Sequence, residues 1–589
     1  MTDHISYSPT ANPRLAEFLR AGRAAHDGYP DEPFSADVRA GKGTSFYRAH
    51  TYHTKVPPQG IEAFIAHYTQ PGQLVLDPFC GSGMTGIAAI RQGRRAVLSD
   101  LSPAATFFAF NHTRPVDVDA FLAAGKNIMQ KVEREYGWLY ATSDCLIDGE
   151  VPFNKMLWSL TLGCPACDAE YALWHAALDA NRKVLAEYPC PHCGAMITKK
   201  HSKPAGMEPV RVDHGSRHMV EAAPNEHDLQ LIKKINNLPW PQDLWYPTNP
   251  IPAEGDEIPR LHGNGVDSVD KLFTRRALLC VAALWREANR ADPALRPSLL
   301  FAVTGIMQRA SRLNKFIPSR NMSPGPILGT MYIPGFYPEI NVLSLFRRKL
   351  TAIARSHADL RAGAPAGGDV CVSTQSATDL SNIPDESIDY IFTDPPFGSN
   401  IQYSELNLLW ESWLGTPTDT TCEAVISKTQ RKATDDYGAL MAQAFAEMRR
   451  VLRQGAWLTL VFHNSSGKVW SAIQDALAAA RLPAGSIHTF DKAHDTFKMV
   501  TAPGAVGYDV VVNCRKSDSP AALERGDPAD ITAAREFVCE FIAAHPEENS
   551  PRRLHARAIA HYMTRRRPIA FDYADFRIIV EEQLANREA

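Results

Sequence analysis

The stretch that most constrains the fold is Leu74-Val75-Leu76-Asp77-Pro78-Phe79-Cys80-Gly81-Ser82-Gly83, with Ile87-Ala88-Ala89-Ile90 starting a helix after it. A short apolar strand that ends in a glycine turn and hands over to a helix is the first half of a βαβ unit. Such a unit commits the chain to a parallel sheet with helices on its faces. Glycines 81 and 83 let the backbone approach a ligand closely, and the helix N-terminus offers free N–H groups to it. A second strand, Ala96-Val97-Leu98-Ser99, ends in Asp100, 17 residues beyond Gly83. An acid there can accept both hydroxyls of a ribose, so the pair implies a nucleoside cofactor. The turn alone could equally hold a dinucleotide. The spacing is shorter than the usual dinucleotide fingerprint, however, and the Asp77-Pro78-Phe79 lead-in is not part of it.

A second strand end carries the other informative motif. Ile388 to Thr393 reads as a buried strand, and Asp394-Pro395-Pro396-Phe397 follows it. Two consecutive prolines fix φ and remove two N–H donors, leaving a stiff loop that presents carbonyl oxygens and the Asp394 carboxylate. Such a loop suits a planar group bearing an exocyclic amine, whose hydrogens go to Asp394 and the Pro395 carbonyl while Phe397 stacks on the ring. The amine lone pair then points away from the ring, placed for in-line attack on a methyl group. An ordinary proline-rich turn is the plain alternative for the tetrapeptide by itself.

Together these two motifs resemble the amino-methylating DNA methyltransferases that use S-adenosyl-L-methionine. Asp77-Pro78-Phe79-Cys80-Gly81-Ser82-Gly83 is similar to their cofactor motif and Asp394-Pro395-Pro396-Phe397 to their catalytic motif. The run continuing through Gly398-Ser399-Asn400-Ile401-Gln402-Tyr403-Ser404-Glu405-Leu406, with Trp410 and Trp413, is similar to a group of bacterial DNA methylases with internal zinc ribbons. The resemblance covers roughly 41–115 and 368–515. It implies an α/β, Rossmann-like class I methyltransferase fold with a mostly parallel seven-stranded sheet, an inserted zinc-ribbon and helical region, and a helical C-terminal tail. It also implies that Lys55, Pro57 and the helix after them cover the methionine end of the cofactor. Asp379, in Ser376-Ala377-Thr378-Asp379-Leu380, occupies the place of the contact to the cofactor's adenine amine. The cofactor set expected is therefore Lys55, Pro57, Asp77, Pro78, Phe79, Gly81, Gly83, Asp100 and Asp379, and the catalytic set Asp394, Pro395, Pro396 and Phe397.

Between the motifs lie Cys164-Pro165-Ala166-Cys167 and Cys190-Pro191-His192-Cys193, separated by 22 residues. Two CxxC pairs at this spacing read as a structural Zn2+ ribbon, and four thiolate ligands leave no open position for catalysis. Of the 11 cysteines these four form the only such pairs, which suits metal binding in a reducing compartment better than a disulfide framework. The nearby Lys199-Lys200-His201-Ser202-Lys203 and Arg211 to His218 could grip phosphates, although a solvated loop is the simpler reading. Residues 267–315 read as helical, Ser311 to Lys315 and 324–336 as lining of a DNA cleft or plain linker, and Arg347, Arg348 and Lys349 as a modest basic patch.

The organisation that follows is an N-terminal arm or lid at 1–40, the cofactor half at 41–115, an insertion for target recognition at 116–350, the catalytic half at 351–515 and a tail at 516–589. Residues 516–527 read as a linker and the tail as helical and basic in part; it could hold DNA or pack on the catalytic domain, with a solvated face the simpler reading. Lys498 and Gly507-Tyr508 fall at the last hairpin of the resembled sheet, with no role assigned. The net charge of −3 makes any nucleic-acid surface local. No run of 18 apolar residues and no basic, apolar leader occur, so a cytoplasmic protein is expected.

The resemblance implies transfer of a methyl group to a base flipped out of double-stranded DNA. Adenine N6 is favoured over cytosine N4 by Asp at the first catalytic position, a family tendency. The alternatives are an RNA methyltransferase acting on guanine N2 or adenine N6, and an inactive zinc-ribbon DNA-binding protein. A restriction-modification or phage-defence partner follows from resemblance alone.

Overall fold

The computed structural model describes residues 6–21, 28–36, 38–39, 41, 43–144, 147–215, 219–365, 367–491, 509–517 and 526–588. Ser216, Arg217, His218, Lys498, Gly507, Tyr508 and most of the expected linker lie outside the described residues. The chain forms two compact units: Met1–Pro115, Arg355–Asn407 and Thr416–Ala589 make the first, Val116–Ala354 and Leu408–Gly415 the second.

Among the described residues the first unit is built on nine strands: β1 (Ser6–Ser8), β2 (Val38–Arg39), β3 (Leu74–Asp77), β4 (Arg95–Asp100), β5 (Val370–Thr374), β6 (Ile388–Thr393), β7 (Leu452–Phe462), β8 (Ala484–Asp491) and β9 (Asp509–Arg515). Their order is β1-β5-β4-β3-β6-β7-β9-β8-β2. Every neighbouring pair is parallel except the two that β9 makes with β7 and β8. The seven inner strands are thus a mostly parallel α/β sheet, as expected. Strands buried along their whole length, such as β3 and β6, need both faces covered, which is why they read as continuous apolar runs.

Side chains of β7 show how the two layers divide. Leu458, Leu460 and Phe462 enter one core, with α4 (Thr434–Val451) and α5 (Gly467–Ala479) of the helical layers; Trp457 and Val461 enter the other, with α1 (Pro58–Tyr68) and α2 (Met84–Arg91). The remaining helix beside the glycine turn is α3 (Pro103–Thr113). Alternation of period two across a sheet sandwiched by helices produces this split.

Two expectations need correction. The N-terminal residues are not only an arm: β1 extends one edge of the sheet and β2 the other, and Asn12 is buried with its Nδ2 donating to Val372 O at 2.7 Å. These strands are two or three residues long, too short to register as periodicity. For the tail, the simpler reading of a solvated face gives way to the packed alternative. Its helices α6 (Ile531–Ala544), α7 (Pro551–Thr564) and α8 (Tyr573–Glu588) bury Phe537, Val538, Ile559, Tyr562 and Phe576 in the same core as α4 and α5. Tyr573 N donates to Ser465 O at 2.8 Å and Gly467 N to Asp572 Oδ1 at 2.8 Å, so the tail is stitched to the start of α5.

The second unit contains an antiparallel sheet that sequence patterning does not reveal. Strand Ile147–Gly163 pairs with Lys203–His214 and with Phe336–Ile340. Pro204 and Pro209 coincide with or adjoin register shifts in this pairing, and Pro338 lies in the third strand, so the prolines mask the strands. The 267–315 region resolves into helices Arg275–Asn289 and Arg296–Ala310, the first buried over nearly all of its surface. No helix among the described residues is long and apolar enough to cross a membrane.

Candidate active site

The carboxyl ends of β5, β4, β3 and β6 lie side by side, and the sheet order reverses between β3 and β6. Open α/β sheets bind ligands at this place. A cavity of about 950 Å³, open solvent included, is found here, with Asp77, Asp100 and Asp394 in its wall.

Asp77 organises the turn. Its Oδ2 accepts from Thr85 Oγ1 at 2.5 Å, and its Oδ1 from Phe79 N at 3.2 Å and Thr393 Oγ1 at 3.4 Å. Burial pushes its carboxyl up to about 7 against the pull of these hydrogen bonds. Gly83, in the left-handed region at φ 82°, precedes α2; a Cβ there would fall 2.6 Å from Ala109 Cα, so glycine is what lets α3 pack against the turn. Pro78 and Gly83 shape the turn without lining the cavity, whereas Phe79 and Gly81 do line it. Asp100 accepts from Gly81 N and Ser102 N, both at 2.9 Å, and burial raises its carboxyl to about 6.

Ser82, missed in the sequence, is 2% exposed and lines the cavity with its Oγ lacking a hydrogen-bond partner. A buried hydroxyl left this way in a cavity wall fits a polar ligand atom. Lys55 also lines the cavity; its Nζ is spent on Tyr47 O at 2.6 Å and His50 O at 2.8 Å. Pro57 is the residue before α1 and is not in the wall. Asp379 is exposed, with Oδ1 accepting from Ser381 N at 3.0 Å, and the cavity is lined instead by Ser376, Ala377 and Thr378. Asp379 N donates to Ser376 O at 3.2 Å, closing a turn whose first three residues line the cavity and whose last does not.

In the loop after β6, Asp394 and Pro396 line the cavity and Pro395 does not. Tyr437 Oη donates to Pro396 O at 2.8 Å and Asn464 Nδ2 to Phe397 O at 2.9 Å, fixing the loop from below. Phe397 itself is 1% exposed, its ring centroid 4.0 Å from that of His463 and 5.5 Å from that of Phe462. The ring expected to stack on a base is thus part of the core. Rings that do line the cavity are Tyr52, Phe79, Phe392 and Tyr403. Tyr403 Oη lies 3.0 Å from Thr54 Oγ1, and burial, with Asp394 nearby, holds its phenol above the usual range. The signal for Tyr403 was its position six residues after Phe397, in the run similar to the zinc-ribbon methylases.

In the second unit, the Sγ atoms of Cys164, Cys167, Cys190 and Cys193 all lie within 4.8 Å of one another. Cys164–Cys193 and Cys167–Cys190 are each 3.9 Å apart, close to the roughly 3.8 Å spacing of thiolates around a tetrahedral zinc with bonds near 2.3 Å. The two CxxC turns repeat one geometry: Ala166 N donates to Cys164 Sγ and His192 N to Cys190 Sγ, each at 3.4 Å, and left-handed Asp168 and Gly194 close the turns. This donor set fits one zinc ion.

Residues 20–106 match the model of the N6/N4 family described as DNA methylase. Over 83 residues the chain is 37% identical to the protein named "Putative methylase YubD" of Escherichia coli (strain K12), covering 14% of this chain and 33% of that protein. The chain therefore spans about a third of the length of this relative. Among solved structures, a variant of the 16S rRNA (adenine(1408)-N(1))-methyltransferase from Catenulisporales acidiphilia with cosubstrate SAM aligns at 13% identity, over 30% of this chain and 74% of that one, with a TM-score of 0.16. The segment that carries β3, the glycine turn and Asp100 is thus the part of the chain that matches the DNA methylase model.

Proposed function

We propose that this chain is a DNA methyltransferase that uses S-adenosyl-L-methionine to methylate an exocyclic amino group of a base flipped out of the duplex, adenine N6 in our reading. The observation that carries this reading is that Asp394 shares one cavity with the glycine turn and Asp100. Asp100 would hold the ribose, Ser82 and the turn the polar groups beside it, and Ser376 and Thr378 the adenine side. Bound there, the cofactor supplies an electrophilic methyl group. The chain's own part is to position the amine: the Asp394 carboxylate, in the cavity wall, accepts a hydrogen from it and leaves the lone pair free.

No covalent enzyme intermediate is needed. Cys80, the cysteine in the cavity's cofactor turn, has its thiol pushed well above the usual range by burial and by Asp100 and Asp77, which disfavours a thiolate nucleophile. With Phe397 in the core, Tyr403 is the ring we assign to the base. The four cysteines would hold a structural zinc.

The test is single-molecule sequencing of genomic DNA from a methylation-free host expressing the wild type beside Asp394→Ala. N6-methyladenine at a repeated motif, present with the wild type alone, is the expected result. Methyl on cytosine N4 would change the base and keep the chemistry; methyl on RNA and none on DNA would overturn the DNA reading.

A further inference from the structure

Beyond the helix Tyr403–Leu414, residues 416–432 form a strap that returns to the cavity, where Thr418, Cys422, Glu423 and Ala424 line the wall. No sequence motif drew attention to this strap. It is pinned to the catalytic loop by Ile426 N donating to Gly398 O at 3.3 Å and by Gln402 Nε2 donating to Ile426 O at 3.1 Å. Its centre is Glu423, a carboxylate only 5% exposed.

Burying an ionised carboxylate is costly unless its oxygens are satisfied. Glu423 Oε1 accepts from Ser404 N at 3.0 Å, and Oε2 accepts from Ser404 Oγ at 2.7 Å and Gln430 Nε2 at 2.6 Å. Lys432 Nζ donates to Thr420 O at 2.7 Å and Glu423 O at 2.8 Å, closing the strap on itself. Ser404 stands in the first turn of the helix, where backbone N–H groups lack helical partners and a negative charge is favoured. Glu423 therefore caps that helix from outside, and the residue held in place beside Ser404 is Tyr403.

The glycine turn and Asp100 thus share one cavity wall with Asp394, Pro396, Tyr403 and the strap. We propose that the strap is the far wall of the pocket for the target base, a planar ring bearing an amine, and that Glu423 is the positioning residue that anchors Tyr403 there. This inference rests on the amino-methyltransferase reading above.

The test compares the full chain with Glu423→Ala and Glu423→Gln. Hydrogen exchange across residues 403–406, measured without substrate, should accelerate at least tenfold in Glu423→Ala and less in Glu423→Gln, whose amide oxygen can still accept from Ser404 N. KM for a duplex carrying the target site should rise at least tenfold in Glu423→Ala, with cofactor affinity by calorimetry within twofold of wild type. Tyr403→Ala should raise KM similarly, and the double variant little further. Unchanged exchange, or unchanged KM with faster exchange, would overturn the anchor. A parallel loss of cofactor affinity would also overturn it, since Glu423 would then serve the cofactor side. Wild-type protein that binds cofactor and transfers no methyl group to DNA would instead sink the underlying function and the base pocket with it, whatever the exchange data.

Discussion

Asn407, on the helix after the Asp394 loop, donates its amide to Ser102 Oγ at 2.8 Å, on the residue that precedes α3. Its Oδ1 lies 2.9 Å from His53 Nε2. Ser102 N in turn donates to Asp100 Oδ1. One fully buried amide therefore joins the two motifs that sequence reading places 294 residues apart, from Asp100 to Asp394. Burial pulls His53 down to about 4, so the ring is neutral, and Asn407 Oδ1 as acceptor requires the proton on Nε2.

Replacing Asn407 with Leu should cost about 1–3 kcal/mol, the usual penalty when a buried polar group loses its partner. Ser102 would relax and with it Asp100, so cofactor affinity should fall as well. Urea unfolding and calorimetry check the two effects. A variant as stable as wild type with unaltered cofactor binding would show that the amide link carries no load.

Phe397→Ala should behave as a core truncation, destabilising the protein by about 3–5 kcal/mol. Tyr403→Ala, at the cavity wall, should raise KM for DNA at a smaller stability cost. Chemical denaturation beside steady-state kinetics separates them. A stable Phe397→Ala variant defective only in DNA binding would return the stacking role to Phe397.

How far the sequence could be read follows from which physical signals are local. The turn at Gly81 and Gly83, Asp100 and the Asp394 loop are local: short motifs at strand ends, and the structure brings Asp77, Asp100 and Asp394 to one cavity. Phe397 and Asp379 depended on orientation. Whether a ring at a strand end faces the cavity or His463 depends on packing against β7, and the turn from Ser376 to Asp379 leaves its first three residues in the wall and Asp379 outside it. Glu423 left no trace because its partners Ser404 and Gln430 are 19 and 7 residues away, with no periodicity between them. The sheet around Ile147–Gly163 was hidden by prolines, and β1 and β2 by their brevity.

One zinc per chain is expected in protein purified without chelator, measured by plasma mass spectrometry. Cys190→Ser should bind far less than one equivalent. Because thiolate ligation of a structural zinc contributes directly to folding, the variant and the chelated wild type should both lose melting temperature. A metal-free wild type with unchanged melting would remove the zinc assignment and leave the two turns as a hydrogen-bonded cysteine cluster.

Asp77 and Asp100 set opposite pH slopes for stability and binding. Their carboxyls are raised from 3.8 to about 7 and about 6, largely by burial, so the folded chain holds more protons than the unfolded one between about pH 4 and pH 7. The stability these groups supply is complete below pH 4 and is lost as pH rises through 6 and 7. Ribose hydroxyls, by contrast, donate best to an ionised Asp100, so cofactor affinity should climb over the same interval. Melting temperature of the cofactor-free protein should therefore fall from pH 5 to pH 8 more steeply in wild type than in Asp77→Asn, which has no proton to lose. Cofactor affinity by calorimetry should rise several-fold from pH 5 to pH 7 in wild type and stay low and flat in Asp100→Asn. An affinity in wild type that falls over that range would mean that Asp100 acts through its protonated form, donating to the ligand where the present assignment has it accept.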